Sequence, residues 1–189
     1  MQAETLEGGF ANAPIEAALA FRAAMSAMSR PGGIETLTGA QPPAPLSVAA
    51  GTLALTLFDP ETPVHLAGAA DCAPVRDWLA FHTGAPIVEA EAAMFALGPW
   101  DALHPLDRFA IGTPEYPDRS VTMIVEMPAL EATGARLTGP GIKDHAALSL
   151  PETPAFQRNA ALFPLGLDFF FTHADRVAAL PRTTKVEAA

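Results

Sequence analysis

Val121-Thr122-Met123-Ile124-Val125-Glu126-Met127 decides how the chain is organised. Val121, Met123, Val125 and Met127 fall on one side of an extended segment, and Thr122, Ile124 and Glu126 on the other. One face is apolar and the other mixed, which is the period-2 pattern of a strand. Upstream, Ala93 to Leu97 has strand composition as well. Downstream, Ala135 to Thr138 and Ile142 to Leu148 flank a Gly-Pro-Gly turn and read as consecutive strands. A helix is expected from Pro154 to Leu162. Leu167 to Thr172, the turn Ala174-Asp175-Arg176, and Val177 to Leu180 then read as strand, tight turn and strand.

Toward the N-terminus the period changes. Ile15, Ala18, Leu19, Phe21, Ala24, Met25 and Met28 recur at helical spacing, with Pro14 suited to the first turn and Ser29-Arg30-Pro31-Gly32-Gly33 ending the segment. Ile34 to Leu37 reads as a strand, followed by a Pro-rich loop at Gln41 to Pro45. Leu46 to Phe58 is apolar and long enough for a buried helix, which Asp59-Pro60 stops because the residue before a proline avoids helical geometry. Val64 to Leu66 is a short strand and Ala73 to His82 a further helix. Hairpins, separated strands and helices together give an α/β fold near the α+β boundary: one three-layer domain, residues 1–189, with a mixed sheet flanked by helices.

The 189 residues carry a net charge of −10, which disfavours binding to nucleic acid or an anionic membrane through bulk electrostatics. No apolar run approaches a membrane span, and Met1-Gln2-Ala3-Glu4 lacks a secretory start, so the cytoplasm is the expected compartment. Nineteen prolines imply short elements joined by stiff loops. Cys72 is the single cysteine, which excludes an intramolecular disulfide and a multi-cysteine zinc site; it is expected to be inert.

The histidines at 65, 82, 104, 145 and 173 are scattered, and the His104–Asp107 pair is too common a spacing to mark a metal, so no metal site is expected. No Gly-x-Ser-x-Gly elbow or other catalytic set is recognisable. Three loops have the chemistry to meet an anion. Gly139-Pro140-Gly141 lets backbone N–H groups approach a ligand, though it also suits a tight turn between strands. Leu180-Pro181-Arg182-Thr183-Thr184-Lys185 combines guanidinium, hydroxyls and ammonium, and Arg182 has the fork that grips phosphate; a solvated tail is the plainer reading. Thr113 to Ser120, with Arg119, is a polar loop entering a strand. Trp78 to Thr83 is expected to pack aromatics into the core, with His82 near a helix end whose dipole favours its charged form.

Six segments, taken in order, carry a resemblance. They are Phe21-Arg22-Ala23-Ala24-Met25-Ser26-Ala27-Met28-Ser29-Arg30-Pro31-Gly32, Thr62-Pro63-Val64-His65-Leu66, Phe81-His82-Thr83-Gly84-Ala85-Pro86, Leu137-Thr138-Gly139-Pro140-Gly141-Ile142, Phe163-Pro164-Leu165-Gly166-Leu167-Asp168 and Leu180-Pro181-Arg182-Thr183-Thr184. Spanning nearly the whole chain, they resemble the PhnH family, one component of the bacterial carbon–phosphorus lyase core complex. Arg30 and the stretch Gly98 to Leu106 are less typical.

The resemblance implies a fold like the large domain of pyridoxal-phosphate (PLP)-dependent transferases, without the cofactor. Lys143 and Lys185 are the only lysines, and neither lies in a recognisable cofactor frame. It also implies work beside subunits G, I and J, in an assembly that couples a phosphonate to the ribose of a nucleoside triphosphate. That transferase step gives a ribose 1-phosphonate 5-triphosphate, and a radical iron–sulfur lyase step follows on another subunit, since one cysteine cannot hold a cluster. The implied role is accessory and structural, not catalytic alone, with self-pairing as a homodimer in isolation. The contrasting reading is a stand-alone phosphorylated-ligand-binding protein or transferase built on Arg182, Thr183, Thr184 and the Gly139–Gly141 turn.

Overall fold

A computed structural model describes residues 7–188. The helices are α1 (Ala13–Ser29), α2 (Val48–Leu57), α3 (Ala73–His82), α4 (Trp100–Leu103) and α5 (Pro154–Ala160). The strands are β1 (Glu35–Thr36), β2 (Val64–Leu66), β3 (Phe95–Pro99), β4 (Thr122–Glu126), β5 (Ala135–Thr138), β6 (Ala146–Leu148), β7 (Asp168–His173), β8 (Arg176–Leu180) and β9 (Lys185–Glu187). Six strands form a mixed sheet in the order β1-β8-β7-β4-β3-β2, in which β2, β3, β4 and β7 run parallel and β8 alone runs against them, antiparallel to both β7 and β1. A separate three-stranded antiparallel sheet has the order β6-β5-β9.

The alternation at residues 121–127 sets the layers. Met123 pairs with Ala96 and Phe169, and Val125 with Phe171; all five are buried against α5 and the small sheet. Ile124 pairs with Leu97 and Phe170, which face the opposite core under α1, α2 and α3. β4 is therefore apolar on both sides where it matters, as a parallel strand covered on both faces must be. The result is a mixed α/β domain with three layers.

Several expectations change in detail. The β-strand expected over Ile142 to Leu148 keeps only its last three residues, and α4 arises in a stretch with no helical reading. Lys185, the last residue of the suspected tail, opens a strand, Lys185–Glu187, that pairs with β5. The largest difference concerns α1. Its buried residues are Ala20, Ala24 and Ala27, while Ile15, Leu19, Phe21 and Met25 are 58%, 57%, 50% and 53% exposed. Small side chains let the helix lie close to α2 and β8, so the bulky ones are left outside. Phe81, expected inside, is also exposed, whereas Trp78 is fully buried. Among the described residues no helix is long and apolar enough to cross a membrane.

Ser47 caps α2 by accepting the Ala50 N–H at 3.1 Å, which satisfies one of the free donors of the first turn. The β7–β8 turn holds Ala174 at φ 53°. Its carbonyl accepts the Ala49 N–H at 2.9 Å, and the Asp175 carbonyl accepts the Leu37 N–H at 2.7 Å. One tight turn thus anchors both a helix start and the segment after β1.

Candidate functional site

Arg182 follows β8 directly, and the β7–β8 hairpin brings it beside Asp168 at the start of β7. Its Nε donates to both Asp168 carboxylate oxygens at 3.2 Å, and Nη2 donates to Asp168 Oδ2 and to the Ser120 hydroxyl. Nη1 donates to the Pro117 carbonyl at 2.7 Å, and the Arg182 backbone N–H to Asp168 Oδ1 at 2.8 Å. The two side chains are 12% and 23% exposed. The guanidinium expected to await a phosphate is committed to a carboxylate, a carbonyl and a hydroxyl. A phosphate gripped there would have to displace Asp168.

The neighbouring candidates pack together. A Cβ on Gly139 would lie 3.2 Å from the Thr183 carbonyl and 3.5 Å from Thr184 Cα, and one on Gly141 would lie 2.0 Å from the Ser29 carbonyl. Gly141, at φ 80°, therefore permits a backbone approach that no side chain would allow. Thr184 is buried, and its hydroxyl has no hydrogen-bond partner among the described residues. The turn at Gly139–Gly141, the end of α1 and the C-terminal segment thus form one contact.

His82 lies apart from this contact, whereas Arg119 sits between Pro117 and Ser120, both of which Arg182 bonds. The His82 ring packs against Trp78 and Phe81, with centroids 5.0 and 4.9 Å away, under a segment whose Gly9 could not carry a Cβ. Its Nε2 is buried without a partner among the described residues. Arg119 is exposed, and its guanidinium lies 4.0 Å from the Tyr116 ring centroid, in a cation–π arrangement. It borders a shallow hollow with Met94, Asp118 and Ser120.

Two features escaped the sequence reading. One is a cavity of 460 Å³ between α5 and the 104–111 segment, walled by His104, Asp107, Phe109, Ile111, Arg158 and Leu162. His104 Nε2 lies 3.5 Å from Glu152 but makes no hydrogen bond among the described residues. Its polar lining groups are His104, Asp107, Arg158 and Asn159, which can hold a small polar molecule. The other is Glu126, at the end of β4. It accepts the Ser47 N–H at 2.7 Å and the Thr172 hydroxyl at 3.1 Å. Burial pushes its carboxyl above the ordinary carboxylate value, outweighing those hydrogen bonds and the nearby His173, which pull it down. The signal for Glu126 was present, a carboxylate in an apolar strand, but its partners are distant in sequence.

Among the described residues no group of three or more His, Cys, Asp or Glu side chains is placed to hold a metal ion. The family model described as "Bacterial phosphonate metabolism protein (PhnH)" matches residues 8–187. The chain belongs to the PhnH family. It is 43% identical, over 197 aligned positions and 98% of both chains, to "Alpha-D-ribose 1-methylphosphonate 5-triphosphate synthase subunit PhnH" of Rhizobium meliloti (strain 1021). It is 31% identical, over 196 positions and 95% of both chains, to "Putative C-P lyase subunit protein HtxG" of Stutzerimonas stutzeri. The six segments that resemble the PhnH family fall into two contacts. Four meet through Gly141 on Ser29, Gly139 on Thr183, and Arg182 on Asp168. The other two meet where the Val64 N–H donates to the Pro86 carbonyl at 2.9 Å. In this PhnH chain those segments join strands and loops to one another.

Proposed function

We propose that this chain is an accessory subunit of a multisubunit carbon–phosphorus lyase core that acts on phosphonates. In this role it supports formation of a ribose 1-phosphonate 5-triphosphate from a phosphonate and a nucleoside triphosphate, beside subunits G, I and J in the cytoplasm. The observation that carries the proposal is likeness along 98% of the chain to a protein named as a synthase subunit. The commitment of Arg182 to Asp168 supports a structural role for the C-terminal loop. Both lysines are exposed, which supports taking the PLP-transferase-like layer arrangement without the cofactor. The lone Cys72 packs against the core beside α3, which supports placing the radical step on another subunit.

Co-expression of the tagged chain with subunits G, I and J tests the proposal. We expect stoichiometric capture of all three, and loss of triphosphate product when this chain is omitted. Light scattering on the chain alone should show a homodimer. Failure to capture any sister subunit would overturn the proposal, as would turnover by the isolated chain.

A further inference from the structure

We propose that the outward face of α1 docks a sister subunit whose matching patch is apolar and carries a carboxylate opposite Arg22. This assignment rests on the accessory-subunit reading and names the surface that serves it. At 100° per residue, Ile15, Ala18, Leu19, Phe21, Arg22 and Met25 occupy an arc of about 160° on the side opposite Ala20, Ala24 and Ala27. Four large apolar side chains, each at least half exposed, stand on that arc in one continuous stripe. Isolated exposed apolar residues are ordinary, but a stripe of this kind marks an interaction surface.

The charge on the face selects the occupant. Arg22 stands inside the apolar stripe, is exposed, and makes no ion pair among the described residues. The helix has one carboxylate, Glu16, which lies off the stripe, half-buried, and accepts the Asn12 N–H at 2.7 Å. A second copy would present the same stripe and would bring a second guanidinium with no counter-charge. An anionic membrane would be repelled by a chain of net charge −10 that offers one cation here. An apolar protein surface with a single acidic side chain satisfies both the stripe and Arg22, since interface cores favour Met, Phe and Arg anchors.

The test uses the full chain co-expressed with subunits G, I and J, comparing wild type with Leu19→Glu/Met25→Glu and with Arg22→Glu. Glutamate keeps helix propensity, and the replaced side chains are exposed, so circular dichroism and thermal melting should match wild type. We expect the double variant to lose capture at least tenfold and Arg22→Glu to lose it about tenfold, with Arg22→Lys partly restoring it. Capture of the folded double variant at the wild-type level would overturn the assignment while leaving the subunit reading intact. Failure of wild type to assemble would overturn both. If the double variant lost only self-association by light scattering, the face would belong to a second copy. Wild type that floated with phosphatidylglycerol vesicles, when the double variant did not, would assign it to lipid. Either result would overturn the proposal.

Discussion

Replacing Arg182 with alanine should unfold this protein sooner and not merely empty a binding loop. The side chain makes contacts with Asp168, Ser120 and Pro117 that truncation removes together. Asp168 would keep only the Arg182 backbone N–H at 2.8 Å, and the Pro117 carbonyl and Ser120 hydroxyl would each lose a donor. Breaking a buried ion pair from one side costs about 3–5 kcal/mol. Asp168 is 23% exposed, so water partly compensates it and the lower end, about 3 kcal/mol, applies. For a domain of this size that lowers Tm by roughly 6–12 °C. Arg182→Lys keeps the charge and loses the fork, so it should fall between wild type and alanine. Differential scanning calorimetry would read the shift, and a double-mutant cycle with Asp168→Asn should return a coupling of at least about 1.5 kcal/mol. A Tm shift below about 2 °C for Arg182→Ala would refute the clamp and return the guanidinium to the ligand-binding reading.

Three further outcomes are expected. Glu126 has a raised folded-state pKa, so its ionised form costs stability at pH above that value. The cost is relieved on acidification toward 4.5, the ordinary value for a free Glu carboxyl. The Tm of Glu126→Gln minus that of wild type should therefore grow from pH 4.5 to neutrality, and a flat difference in a melting series would reject this. Thr184→Val removes a buried hydroxyl with no partner among the described residues and should raise stability by about 1 kcal/mol in denaturant titration; a loss of that size would mean the hydroxyl is bonded. Gly141→Ala places a methyl 2.0 Å from the Ser29 carbonyl at φ 80°. It should cost about 2–4 kcal/mol, and a melting temperature equal to wild type would contradict the close approach.

Most elements were legible because their signals are local. The alternation at residues 121–127 and the helix stop at Asp59-Pro60 needed no distant partner. What could not be read depends on residues far apart. The period of α1 was visible, but not which side of it faces inward: the close approach to α2 selects Ala20, Ala24 and Ala27, and periodicity alone cannot express that choice. Arg182 was legible as a donor-rich side chain, while its acceptor lies 14 residues upstream on another strand. Glu126 was seen within β4, yet the Ser47 N–H it accepts comes from 79 residues away. Lys185-Val186-Glu187 has one apolar residue and reads as tail; pairing with β5 makes it a strand.

The strand order has a consequence for biosynthesis. β1, made early, pairs only with β8, and β5 completes its sheet only with β9. Glu35 waits for Val177, 142 residues later in the chain. At about 5–20 residues per second, that is roughly 7–28 s of translation. Neither sheet is complete on a nascent chain that stops short of β7. β4, already paired with β3, stays without its other neighbour β7 until synthesis is nearly finished. During that interval the growing chain is a natural client for chaperones, and a premature stop before Asp168 would leave one edge of β4 unpaired and both cores without the side chains of β7 and β8.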